Sequence, residues 1–279
     1  MRQAAALAPI LAAWRGAPSR TWSLIITLYG DAIVPRGGVV WLGTLLEFFR
    51  ALDIGDGVVR TAMSRLAADG WLVRQRVGRN SFYRLDTKGE AAFIEATRRI
   101  YSASPPTWPG HFALLLPEST ERETLIQAGC GMIAPGVFVS PRPAKADGLV
   151  LDVQGDPATL RALAARAWPL DALAASYNAF IDSFSTLRDF LAAGGACEDM
   201  EAMAARVLLI HQYRRIVLRD PRLPEDVLPE NWPGTAARSL CAEVYRALLP
   251  ASEAWLDAHA IDETGAALVR NPAIFERFS

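Results

Sequence analysis

Three cysteines and three histidines in 279 residues leave little material for thiol or metal chemistry. Cys130, Cys197 and Cys241 are widely spaced, with no CxxC pair and no Cys/His cluster at zinc spacing. Each reads as a small buried hydrophobe in a reducing compartment, the cytoplasm. No uninterrupted apolar run reaches the ~18 residues of a membrane span. The opening MRQAAALAPILAAW is apolar but short and lacks a cleavage pattern, so residues 1–20 read as an arm or short helix rather than a signal peptide. Charge of one sign is missing too. The formal net charge is −1, which excludes attraction of the whole molecule to a polyanion and requires any nucleic-acid contact to come from a local basic surface. Phosphate-loop and nucleophile-elbow patterns are absent, so no catalytic residue and no metal site is expected, and Gly30-Asp31 and Gly37-Gly38 read as a backbone joint.

What is present suggests two or three domains with ample apolar content, 51%, for their cores. The expected class is α+β. Residues 21–34 form an apolar helical stretch ending at Pro35, 39–42 is a short β-prone run, and 43–52 is helical again. Asp56 is placed to cap a helix over 57–69 that stops at Gly70. WLVRQRV (71–77) and NSFYRLD (80–86) flank Gly78-Arg79 as a hairpin, and Thr87 opens a further helix. Helix, short strand, helix, helix, hairpin, helix is the order of a winged helix, here spanning 21–101. SASPPTWPG (102–110) reads as a linker. Residues 111–168 show strands at 111–117, 136–140 and 149–154 and helices at 121–128, with Thr120 and Glu123 at capping-box spacing, and from Asp156-Pro157 to 167. That suggests a small ferredoxin-like middle domain whose last strand is unplaced. Residues 169–279 are helical, at about 170–193, 198–219 and 234–249, interrupted by a Pro-rich segment.

The helix at 57–69 divides into two faces. Val59, Ala62, Met63 and Leu66 recur at helical spacing and face inward, while Arg60, Thr61, Ser64 and Arg65 face the other way. A face of that size enters a major groove, where guanidinium groups and hydroxyls read base edges or hold phosphates. From Arg60 to Arg84 there are six arginines and one acid, Asp69, hence a local charge of 6 − 1 = +5. Arg76, Arg79 and Tyr83 are the candidate wing contacts. A lone Arg-rich hairpin reads as a solvated edge protected by its charge. Joined to such a helix, it points to duplex DNA as the partner.

WSLIITLYGDAIVPRGGVVWLGTLLEFF, followed by VVRTAMSRLAADGWLVRQRVGRNSFYRLDTKG, resembles the PaaX family of phenylacetate-catabolism repressors. HQYRRIVLRDPRLPEDVLPENWPG (211–234), LCAEVY (240–245) and GVFVSP (136–141) are similar to the same family, so the resemblance runs from about residue 21 to 249. It implies a cytoplasmic, homodimeric repressor released from its operator by an aryl-acyl-CoA, typically phenylacetyl-CoA.

Two constellations have two readings each. His211, Arg214 and Arg215 share a helix face and either hold an anionic effector or lock onto the following loop through Asp220, Glu225 or Asp226. Trp108, Trp168 and Trp232 lie beside prolines and either line an aromatic pocket or close domain joints. The competing function classes are a nuclease or small-molecule enzyme using the middle domain, and a protein-interaction module. The first needs a convergent polar cluster that the sequence lacks, and the second lacks the steep salt dependence of DNA binding.

Overall fold

A computed structural model describes residues 3–16, 20–101, 108–119, 122–142 and 146–278. Most of the expected linker and Thr120 of the expected capping box lie outside the described residues. The N-terminal segment is a helix, α1 (Gln3–Gly16), with Leu7, Ile10 and Trp14 buried at helical spacing. The next, α2 (Thr21–Leu28), continues as a π turn, Tyr29–Ile33, and a 3-10 turn, Val34–Arg36. Pro35 does not stop it, because a proline in the first positions of a fresh turn loses no hydrogen bond. Gly37, at φ +95°, does.

Strand β1 (Val40–Trp41) leads into α3 (Leu42–Arg50), then α4 (Asp56–Ala68), the hairpin β2 (Leu72–Val77) and β3 (Asn80–Leu85), and α5 (Thr87–Tyr101). The sheet order is β1-β3-β2, so β3 is the central strand, paired antiparallel on both sides. Val77 pairs with Asn80, and Gly78 turns between them at φ +59°, a left-handed conformation favoured at the first central residue of tight hairpin turns. This is a winged helix in the order expected. Asp56 does not cap α4. Gly55 is the N-cap, and the Asp56 carboxylate accepts from Arg50 at 2.6 and 2.8 Å, an i, i+6 pair across the turn that outcompetes the cap.

The middle region contains β4 (Phe112–Pro117), α6 (Arg122–Gln127), β5 (Gly131–Ala134), β6 (Val137–Ser140), β7 (Gly148–Val153) and α7 (Pro157–Ala167). Its sheet is antiparallel throughout, in the order β5-β6-β4-β7, the strand order of the ferredoxin-like sandwich. The strand absent from the sequence reading is β5, second in the region and not last as expected. The second helix follows the fourth strand instead of preceding it. Asp156 caps that helix, accepting from the amides of Ala158 and Thr159 at 3.0 Å. Leu115, Leu125, Cys130 and Phe138 form a core between α6 and the sheet.

Long helices follow: α8 (Leu170–Ala192), α9 (Asp199–Val217) and α10 (Pro233–His259). Met203, Val207, Ile210 and Val217 form the buried stripe of α9. α10 runs ten residues beyond its expected end at 249, through Pro250. An internal proline costs ~3 kcal/mol, and burial of Leu248, Leu249, Trp255 and Leu256 around it outweighs that cost.

The chain folds as two units whose segments alternate along the sequence. One comprises 1–102, 180–215 and 236–279, and the other 103–179 and 216–235. The expected sequential boundary at 168/169 therefore falls inside the second unit. Charged groups far apart in sequence join the winged helix to α9 and α10.

Candidate nucleic-acid interface

In α4 the two expected faces are realised. Val59 and Met63 are fully buried, with Ala62 and Leu66 nearly so, while Arg60, Thr61, Ser64 and Arg65 are all exposed. Neither Arg60 nor Arg65 makes a hydrogen bond or close ion pair to a carboxylate among the described residues, although the charge of Arg60 is felt by Asp56. The Thr61 hydroxyl donates to the Gly57 carbonyl at 2.8 Å, which leaves its oxygen lone pairs facing outward. Arg50 beside Asp56 holds that carboxyl below the usual range and neutralises the one acid in the first turn of the helix.

On the wing, Arg76 and Arg79 are exposed, and Arg79 sits at the hairpin tip. Arg74 folds across the ladder and donates to Ser81 Oγ at 2.8 Å. Tyr83 is a correction. It lies on the central strand between Val40 and Arg74, its side chain is buried, and its carbonyl accepts from the hydroxyl of Tyr29. A tyrosine at that position packs the wing root and is not presented to a groove.

Residues outside the expected set adjoin the basic face. A cavity of about 720 Å³ beside α4 is lined by Arg20, Trp22, Val58, Thr61, Arg65 and Trp71, among others. Trp22 and Val58 are large apolar side chains left about half exposed. Their signal in the sequence is weak, since both sit in the first turns of helices where apolar side chains pass as core.

Beneath this face lies a buried charge network. Asp31, in the π turn after α2, accepts from Arg206 Nε at 2.7 Å, Arg277 at 2.8 Å, and the hydroxyls of Tyr101 at 2.5 Å and Tyr245 at 3.0 Å. Arg206 also donates to Glu253 at 2.6 Å, and Glu253 accepts from Arg36 at 2.6 Å. Arg36 reaches Asp257 at 2.8 Å. Three arginines thus face three acids, and burial is tolerated because each charge is paired and hydrogen-bonded. Burial holds the Tyr101 and Tyr245 hydroxyls protonated well above their usual range, so both act as donors. The network pins the end of α2 to α9 and α10, and α2 packs on α4. Gly30-Asp31 and Gly37-Gly38 therefore belong to a joint.

The triad His211, Arg214 and Arg215 is divided. His211 is buried, with Trp14 edge-on to its ring at 6.1 Å. Its Nδ1 lies 2.9 Å from Thr27 Oγ1, which also accepts from Arg214 Nε at 2.7 Å. The Thr27 hydroxyl donates to the Ser23 carbonyl at 3.1 Å, so Nδ1–H of a neutral His211 is the donor to Thr27. Burial, and then Arg214 and Arg215, lower the His211 pKa to about 3. Arg214 further grips Ser23 O and Oγ at 2.8 Å. Two of the three expected effector ligands are thus committed to α2. The alternative lock onto the Pro-rich loop does not hold for them either, since their partners lie almost two hundred residues upstream. Arg215 is exposed. The tryptophans also separate. Trp108 and Trp168 flank Phe112 at 4.9 and 5.8 Å, and Trp232 packs on Tyr177 at 5.9 Å.

Among the described residues no group of three or more His, Cys, Asp or Glu is placed to hold a metal ion, and no helix is long and apolar enough to cross a membrane. The fold, with a basic, groove-sized helical face and an arginine-tipped hairpin, defines a winged-helix DNA-binding regulator. The chain belongs to the PaaX-like family: residues 20–89 match the PaaX-like protein family and residues 168–258 the PaaX-like protein C-terminal domain. The transcriptional repressor PaaX of Escherichia coli (strain K12) is 37% identical to it over 281 residues, covering 92% of this chain and 89% of that protein. Among solved structures, the uncharacterized protein Rv0674 from Mycobacterium tuberculosis shares the fold. Its TM-score is 0.51 at 20% identity, over 76% of this chain and 90% of that one.

Proposed function

We propose that the protein is a homodimeric transcriptional repressor whose operator affinity is lowered by an aryl-acyl-CoA, with phenylacetyl-CoA the first candidate. The observation that carries the DNA-binding part is the outer side of α4, where Arg60, Thr61, Ser64 and Arg65 stand together in solvent. In this reading they meet base edges, and Arg76 and Arg79 hold the phosphates or the minor groove alongside. The name of the Escherichia coli relative supports the repressor sign. Dimerisation is supported by β7, an edge strand that leaves Leu149, Val150 and Leu151 exposed, as an apolar edge awaiting a second copy would.

Selection of bound duplexes from a random pool tests the first part. A two-fold symmetric consensus with a steep loss of affinity in salt is expected, and recovery of no preferred sequence overturns it. Sedimentation tests the second: a dimer for the wild type and a monomer for Leu151→Lys. The third is tested by release of the selected operator on addition of phenylacetyl-CoA.

A further inference from the structure

A cavity of about 760 Å³ opens beside the wing root, within the unit that carries the DNA-binding face. Small-molecule sites commonly enclose about 300–1,000 Å³, mostly apolar with a few placed polar groups. Its walls come from three places. The first is the turn after α2, with Val34 and Pro35, and the second is the end of β3 with α5. The third is the C-terminal 3-10 turn, Pro272–Glu276, which contributes Ile274.

The chemistry of the walls is divided. The Phe93 ring lies against the bare backbone of Gly30, where even a Cβ would come within 2.4 Å of it. Ile94, one helical step on, lines the cavity yet is 59% exposed, an apolar side chain with no protein cover. With Ile274 these make a hydrophobic wall. Arg84 and Arg98 also line the cavity, are exposed, and have no carboxylate partner among the described residues. Arg277 lines it as well, but its charge is committed to Asp31. The free cations therefore number two, against one lining acid, Glu90.

We infer that this cavity is the effector site, taking an organic anion whose flat apolar end rests on Phe93, Ile94 and Ile274 and whose phosphates or carboxylate meet Arg84 and Arg98. The inference rests on the effector reading above and gives it a location that His211 and Arg214 do not provide. It also gives the ligand a direct route to DNA binding. Arg84 and Leu85 belong to β3, whose far end forms the wing turn, so ligand and operator share one strand. The ligand lowers operator affinity by binding the DNA-free arrangement of that strand more tightly, and operator DNA must lower ligand affinity by the same factor.

Calorimetric titration of the full chain with phenylacetyl-CoA and with free CoA, on wild type, Ile94→Trp and Arg98→Gln, tests it. Both residues are exposed, so both variants are expected to keep the wild-type melting temperature and, without ligand, the wild-type operator affinity. Ile94→Trp fills the apolar end and is expected to weaken phenylacetyl-CoA about tenfold or more while sparing free CoA. Arg98→Gln is expected to weaken both by about tenfold, the loss of one charge-assisted contact. If wild type is released from DNA by phenylacetyl-CoA and both variants bind it as wild type does, the site assignment is overturned and the effector reading survives. If wild type binds neither compound, both fall.

Discussion

Arg65 and Arg206 belong to helices of one unit, yet Arg65 faces solvent with no carboxylate partner among the described residues while Arg206 is sealed between Asp31 and Glu253. The surface group keeps its hydration, and in the proposed reading its value lies in the counterions released when a polyanion meets it. The interior group has exchanged water for four donated hydrogen bonds, to the Asp31 carboxylate, Ser252, Glu253 and the Asp31 carbonyl, with both bonds to carboxylates at 2.7 Å or less. The same side chain is thus open to solvent, where a ligand could meet it, in one place and a fastening in the other. Burial and partner separate the two roles, and residue type does not.

The sharpest break of this contrast is Arg206→Met. It leaves Asp31 and Glu253 buried with fewer counter-charges, and a loss of roughly 3–5 kcal/mol is expected in denaturant unfolding. A loss below 1 kcal/mol would mean that the network is not holding the unit together. Next comes Arg65→Ala, expected to cost about 1–3 kcal/mol in operator binding, ten- to a hundredfold or more, with the melting temperature unchanged. A loss of fold instead of affinity would place Arg65 with Arg206.

Acid offers a third test. His211 is neutral when folded, with its pKa lowered to about 3 from an ordinary 6.5, so between those values the unfolded chain binds the extra proton. Stability is full above pH ~6.5 and falls as pH drops toward 3, by up to ~1.4 kcal/mol per pH unit from this group. His211→Gln is expected to flatten that part of the pH–stability profile. An unchanged slope assigns the acid sensitivity elsewhere. The smallest effect is expected for Arg79→Ala, a uniform weakening across sequences and a salt slope lower by about one. Tyr83→Phe is expected to leave operator binding untouched, since the side chain is buried.

The division of α4 into a buried and an exposed basic face was legible because thirteen residues of one helix carry their own periodicity, and no distant residue is needed to orient them. Arg60, Thr61, Ser64 and Arg65 follow from spacing alone. Tyr83 misled because a wing strand's exposure depends on which neighbours it acquires, and β3 acquired two. β5 was missed because four residues between Gly131 and Ala134 carry too little alternation to register. Asp31 looked like a turn residue because its partners Arg206 and Arg277 stand 175 and 246 positions away. His211 and Arg214 looked available for the same reason. A helix face can be read from sequence, but whether another segment covers it cannot.

The fastening of Asp31 also sets an order of events during synthesis. Its carboxylate is made 175, 214 and 246 positions ahead of its partners Arg206, Tyr245 and Arg277. Domains near the start of a chain ordinarily finish folding while the rest is still being made. Here Asp31 stays unfastened until Arg277 has been made, so a ribosome stalled short of that residue carries a fragment that displays the basic face of α4 without the full network behind it.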